Sequence, residues 1–155
     1  MSKTRSEGRE DLLVGGERVE PTAGEYVETV DPATGEAITD VAVADEGDVD
    51  AAVAAAREAF PDWRDTDPAA RGQALYRVAE LIRENLDDLA ELETRDQGKP
   101  LSQARSDLAS GARYFEYYAG AADKIEGATV PVGTGQVDYT VREPYGVSAH
   151  SSASR

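Results

Sequence analysis

The 155-residue sequence contains no cysteine, one histidine and one tryptophan, and it sets only 16 Lys and Arg against 31 Asp and Glu. Without cysteine there can be no disulfide, thiolate metal centre or cysteine nucleophile within these residues. The net charge of -15 repels nucleic acid phosphates and anionic lipid headgroups, so neither nucleic acid nor a membrane is an expected partner. No apolar run approaches membrane length, and the opening MSKTRSEGREDLLV mixes both charges without the apolar segment of a signal peptide, which makes a cytoplasmic location the expectation. Lysine is scarce too: Lys3, Lys99 and Lys124 are the whole set, and arginine supplies the other cations. That balance resembles proteins of salt-loving organisms, in which carboxylates keep the surface hydrated.

The length suits one core. Residues 1–10 are polar and predict a disordered terminus, residues 11–147 a single folded unit, and residues 148–155 a disordered Ser/Ala tail. Leu12, Leu13 and Val14 face Val19 across Gly15-Gly16, a pair suited to a tight hairpin because glycine accepts positive φ. A second hairpin is predicted where EYVETV and EAITDVAVA flank DPATGE. From Asp45 the period changes to that of a helix. Val49, Ala52, Val53, Ala56 and Phe60 make one stripe, with Asp45 as N-cap and Phe60-Pro61 as the stop. A second helix begins with Asp67 as cap and Pro68 in the first turn, and buries Leu75, Val78, Ala79, Ile82 and Leu86. A third continues after a break at Asn85 and ends at Gly98. A fourth runs from Ser106, with Leu108, Ala112, Phe115, Ala119 and Ala122 inward. Period two then returns, with Val137, Tyr139 and Val141 on one face of a strand. The expected class is α+β: N-terminal hairpins, a four-helix cluster, then strands.

Several stretches invite a chemical reading, and each has a plainer one. His150 lies near Ser148, Ser151 and Ser152, but the spacing matches no nucleophile elbow. Gly133 to Asp138, GTGQVD, carries two glycines of a dinucleotide fingerprint but leads into a strand, leaving no helix N-terminus for a pyrophosphate; it reads as a turn. Asp45, Asp48 and Asp50 lack calcium-loop spacing and read as a capped, solvated helix start. YFEYY, Tyr114 to Tyr118, could stack on bases, but core packing with one wet face suits an acidic chain better. Asp96 sits near a helix C-terminus, where an acid opposes the macrodipole and so invites a partner.

Four stretches in order, VDPATGEAITDVAVADEGDVDAAVAAAREAFPDWRD, LIRENLDDLAELETRDQGKPLSQARSD, YFEYYAGAADKIEG and VDYTVREPYGV, resemble the opening of the NAD(P)-dependent aldehyde dehydrogenase superfamily over about Leu12 to Val147. The resemblance implies a fragment of that α/β fold and an oxidoreductase that turns an aldehyde into a carboxylic acid. A Cys thiolate, an oxyanion-binding Asn and a general-base Glu would do the chemistry. After PYGV the family proceeds to a Pro-Trp-Asn motif, whereas this chain reads SAHSSASR, and its one Asn is Asn85. The expectation is therefore a chain that stops short of the nucleotide-binding and catalytic core, carrying no catalytic or cofactor-binding residue and binding neither NAD nor NADP by itself. The resemblance also implies a monovalent cation held by backbone oxygens of Thr29 and Val30 and by Asp96. It further implies an oligomerisation arm near 128–147 that pairs with a second copy or a full-length relative. The other reading is a non-enzymatic, acidic interaction module that pairs through exposed strands.

Overall fold

Residues 8–151 are described by a computed structural model. Strands come first. β1 (Arg9–Glu10), β2 (Leu12–Val14) and β3 (Glu17–Val19) precede the longer β4 (Tyr26–Val30) and β5 (Ala37–Ala42). β2 and β3 pair antiparallel, Leu12 opposite Val19. Gly15 and Gly16 turn between them at φ 60° and 84°, the two left-handed residues that a type I′ turn requires. Between β4 and β5, Asp31 builds the turn. Its Oδ1 accepts from Ala33 N at 2.8 Å, its carbonyl accepts from Gly35 N at 2.7 Å, and Gly35 reverses the chain at φ 73°. β1 adds parallel to β5 to give the order β1-β5-β4. Arg9 and Glu10 therefore belong to the sheet and not to a frayed terminus, since the edge of β5 offers them a ladder; residues 1–7 lie outside the described part.

The helices α1 (Glu46–Asp65), α2 (Pro68–Glu84), α3 (Leu86–Gln97) and α4 (Leu101–Ala121) follow. Asp45 caps α1 as predicted, through a reciprocal box: its carboxylate accepts from Asp48 N at 3.0 Å, and the Asp48 carboxylate accepts in return from Asp45 N at 3.1 Å. Two expectations for α1 fail. The helix does not stop at Phe60-Pro61 but continues through Pro61 to Asp65. Proline removes one donor late in the helix, and Thr66 closes the end by donating both its N–H, at 3.0 Å, and its hydroxyl, at 2.7 Å, to the Asp62 carbonyl. The stripe is also largely open: Val49, Ala52 and Ala56 are exposed, and only Val53 and Phe60 are half-buried, because α1 lies beside β2 and not in the helical cluster.

The cluster is α2, α3 and α4. Asp67 caps α2 by accepting from Ala69 N at 2.8 Å, with Pro68 in the first turn. Asn85 divides α2 from α3, and its amide donates back to Leu81 O at 2.8 Å. Gly98 ends α3 in the left-handed conformation, φ 69°. α4 starts at Leu101, ahead of the predicted Ser106, because Pro100 occupies its N-cap position and its carbonyl accepts from Ala104 N at 3.0 Å. Gly98 thus ends one helix, and Pro100, two residues on, opens the next.

Alanine makes the core. Ala79, Ala90, Ala104, Ala112 and Ala119 are 0–5% exposed, and among the described residues no large side chain is fully buried. Where α2 meets α4, a Cβ on Gly72 would lie 2.7 Å from the Ala119 carbonyl oxygen, so that crossing admits hydrogen only. Of the predicted stripes, Leu75, Ile82 and Leu108 are half-buried, whereas Val78 and Phe115 are exposed. Ion pairs tie the helices together: Arg83 forks onto Glu116 at 2.5 and 2.9 Å, and Lys99 joins both Glu93 and Asp107. These pairs hold the Lys99 ammonium above its ordinary range, Glu93 being the main cause and Asp107 the next.

β6 (Thr129–Val130) and β7 (Asp138–Tyr139) close the chain as a separate antiparallel ladder. The strand predicted over Val137 to Arg142 shrinks to two residues, and its apolar face is bare, with Val137 82% exposed. With one partner strand and no sheet beneath it, the ladder has nothing to bury that face against. The result is the expected α+β arrangement.

Candidate functional site

Thr29, Val30 and Asp96 occupy neighbouring elements. The β4–β5 register slips between Thr29 and Val30, where Thr29 faces Thr39 but Val30 faces Ala37. A bulge of this kind disrupts the ladder and re-aims backbone groups. Thr29 Oγ1 donates to Thr39 O at 3.1 Å. Asp96 stands exposed in the last turn of α3, and the cap that follows is packed so closely that a Cβ on Gly98 would lie 3.0 Å from Pro32 Cγ. The end of α3 thus docks on the turn that leaves β4. Oxygen donors of this kind suit a hard cation. Among the described residues no group of three His, Asp or Glu side chains is placed to hold a metal, so any ion here would lean on main-chain oxygens.

Asp48 does more than cap a helix. It is 8% exposed, and its carboxylate accepts from Thr22 N at 3.1 and 3.2 Å and from Thr22 Oγ1 at 2.7 Å. The expectation of a solvated helix start holds for neighbouring Asp45 and Asp50 but not here. The Thr22 hydroxyl first, and the Asp45 N–H next, hold this carboxyl below its ordinary range. Its task is structural: it pins the loop after β3 to the start of α1.

The outward face of α4 carries a groove of about 450 Å³ lined by Ser110, Arg113, Tyr114, Tyr117 and Tyr118. Tyr114, Tyr117 and Tyr118 are 61–71% exposed, so the aromatic run is mostly wet and not the predicted core with one wet face. The reason is register. The alanines that touch α2 fall on the opposite side of the helix. Sequence reading passed over Arg113, although spacings of three and four from Ser110 to Tyr118, set against the alanine stripe, were there to find.

The remaining candidates resolve simply. Gln136 N donates to Gly133 O at 3.2 Å and Gly135 takes φ 84°, so GTGQVD is the expected turn. It leads into β7, and these residues do not fit a dinucleotide pyrophosphate. Ser148 Oγ lies 3.4 Å from His150 Nε2, both exposed on irregular chain.

Comparison with known proteins adds an independent line. The family model described as "Aldehyde dehydrogenase family" matches residues 19–151. Among solved structures, PnpE in complex with nicotinamide adenine dinucleotide is 40% identical with a TM-score of 0.81, the match covering 84% of this chain and 27% of that one. A Burkholderia cenocepacia protein assigned to the aldehyde dehydrogenases is 44% identical with a TM-score of 0.84, over 86% and 28%. An aldehyde dehydrogenase from Bacillus cereus, in its NAD+ complex, is 37% identical with a TM-score of 0.81, over 84% and 27%. This chain thus spans little more than a quarter of the length of these relatives.

Proposed function

The chain belongs to the aldehyde dehydrogenase family, and from that premise we propose that it is the N-terminal, scaffolding portion of an oxidoreductase that converts an aldehyde to a carboxylic acid with NAD+ or NADP+. The observation that carries this reading is the match over residues 19–151 in a sequence that contains no cysteine. Thiolate attack needs a thiol, which none of these residues supplies. The nicotinamide, when bound in a complete family member, accepts the hydride. What these residues contribute is position: the alanine seam sets α4 against α2, the bulged β4–β5 hairpin meets the end of α3, and β6 and β7 project an open ladder.

On this reading the 155-residue chain alone is inactive. Purified chain with NAD+ or NADP+ and short aldehydes should give no reduced cofactor, and measurable turnover would overturn the assignment. Sequence downstream of codon 155 should encode a Pro-Trp-Asn motif and a cysteine in one of the three frames.

Two further features belong to the proposal. Oxygens of Thr29, Val30 and Asp96 hold a monovalent cation, supported by the bulge and by the docking of Gly98 on Pro32. Potassium or sodium should then raise the Tm of the wild type more than that of Asp96→Ala; equal responses would end the idea. Residues 128–147 pair with a second copy or a full-length relative, supported by the exposed Val137, Tyr139 and Val141 and by unpaired strand edges. A cytoplasmic setting agrees with the charge, and among the described residues no helix is long and apolar enough to cross a membrane.

A further inference from the structure

Most charges on this chain are acids, so an arginine facing an aromatic groove with no acid bonded to it stands out. Arg113 makes no ion pair among the described residues, although Glu116 lies close enough to feel its charge. That carboxylate is already held: both its oxygens accept from Arg83. The guanidinium therefore keeps its five donors for something else. Around it stand three tyrosines, and Tyr117 and Tyr118 meet edge to face with centroids 5.3 Å apart. The Ser110 hydroxyl donates back to Ser106 O at 2.9 Å, leaving its lone pairs as acceptors. A fork of N–H donors beside ring faces and phenol hydroxyls suits a planar molecule that ends in a carboxylate. The groove's volume lies within the range of small-molecule sites.

We infer that the outward face of α4 receives the carboxylate end of a small, planar aldehyde, with Arg113 gripping the anion and Tyr114, Tyr117 and Tyr118 flanking the body of the molecule. The word aldehyde rests on the family reading above; the preference for an anionic end rests on the groove alone. Another groove, of about 530 Å³, is also lined by arginines, but there Arg64 forks onto Asp65 and Arg71 donates to main-chain carbonyls. Those two cations are engaged, and the groove's third arginine, Arg142, shares the lining with the acids Asp123 and Glu143. Arg113 is the better anion partner.

The test uses the 155-residue chain and two probes, 4-formylbenzoate and neutral benzaldehyde, followed by the ring resonances of Tyr114, Tyr117 and Tyr118 and by the Arg113 side-chain N–H. Formylbenzoate should shift these signals saturably and at about tenfold lower concentration than benzaldehyde, as a charge-assisted bond requires. Arg113→Gln should erase that preference, Arg113→Lys should restore part of it, and Arg57→Gln, on α1, should leave it intact. Equal response to both probes, an unchanged preference in Arg113→Gln, or no saturable shift overturns the inference. So do shifts that follow protein concentration and ignore the probe, since they would make the face a contact between copies. If formylbenzoate binds as expected but the downstream codons hold no cysteine, the carboxylate site stands and the oxidoreductase reading falls.

Discussion

At the scale of single residues, two glycines of helical conformation separate propensity from packing. Gly111, inside α4, has open space where a Cβ would go, whereas a Cβ at Gly72 in α2 would meet the Ala119 carbonyl oxygen at 2.7 Å. Alanine at either site gains roughly 1 kcal/mol of helix propensity. At Gly111 nothing opposes that gain, so Gly111→Ala should raise stability by about 0.5–1 kcal/mol. At Gly72 the obstacle is backbone, which cannot swing aside as a flexible side chain would, and overpacking costs about 1–3 kcal/mol. Gly72→Ala should therefore lose stability despite its better propensity. Urea midpoints of the two variants, moving in opposite directions, would check both, and a parallel shift would mean that the α2–α4 crossing is looser than described.

At the scale of elements, Asp48 joins the loop after β3 to the start of α1, and this joint responds to acid. Its carboxyl is held below its unfolded value of 3.8, so the stability it contributes is complete above that value and disappears as pH falls through the lower, folded one. Asp48→Asn should lower the Tm at neutral pH and narrow the gap to wild type below about pH 4. A gap that stays constant with pH would refute the role given to the charge. The joint itself was not legible in the sequence, because its partner, Thr22, lies 26 positions away and no period links them. Local signals were legible: the Gly15-Gly16 turn, the caps at Asp45 and Asp67, the break at Asn85 and the left-handed Gly98 all follow from short-range chemistry that needs no tertiary context. The extent of α1 was not, since a proline near a helix end costs one bond and a good cap beyond it can offset that loss. Periodicity also picked out the α1 stripe of Val49, Ala52 and Ala56 without revealing that nothing among the described residues covers it. The groove on α4 was half visible, its tyrosines as an aromatic run and Arg113 not at all.

For the whole molecule, charge and shape pull against each other. A net charge of -15 keeps copies apart at low ionic strength, and salt shortens the reach of that repulsion to about 8–10 Å at 0.1–0.15 M. The bare ladder of β6 and β7 then has the means to find a partner. Sedimentation velocity should show species larger than the monomer, increasing with salt and protein concentration; a clean monomer throughout would count against pairing by residues 128–147. The alanine seam has a consequence of its own for geometry. Since the buried members of the α2–α4 contact are alanines and Gly72, the seam acts as a spacer of fixed thickness. Widening it by a single methylene at Ala119 would carry the tyrosines of α4 and the ladder beyond them outward together, altering the alignment of every surface that helix presents while leaving those surfaces chemically unchanged.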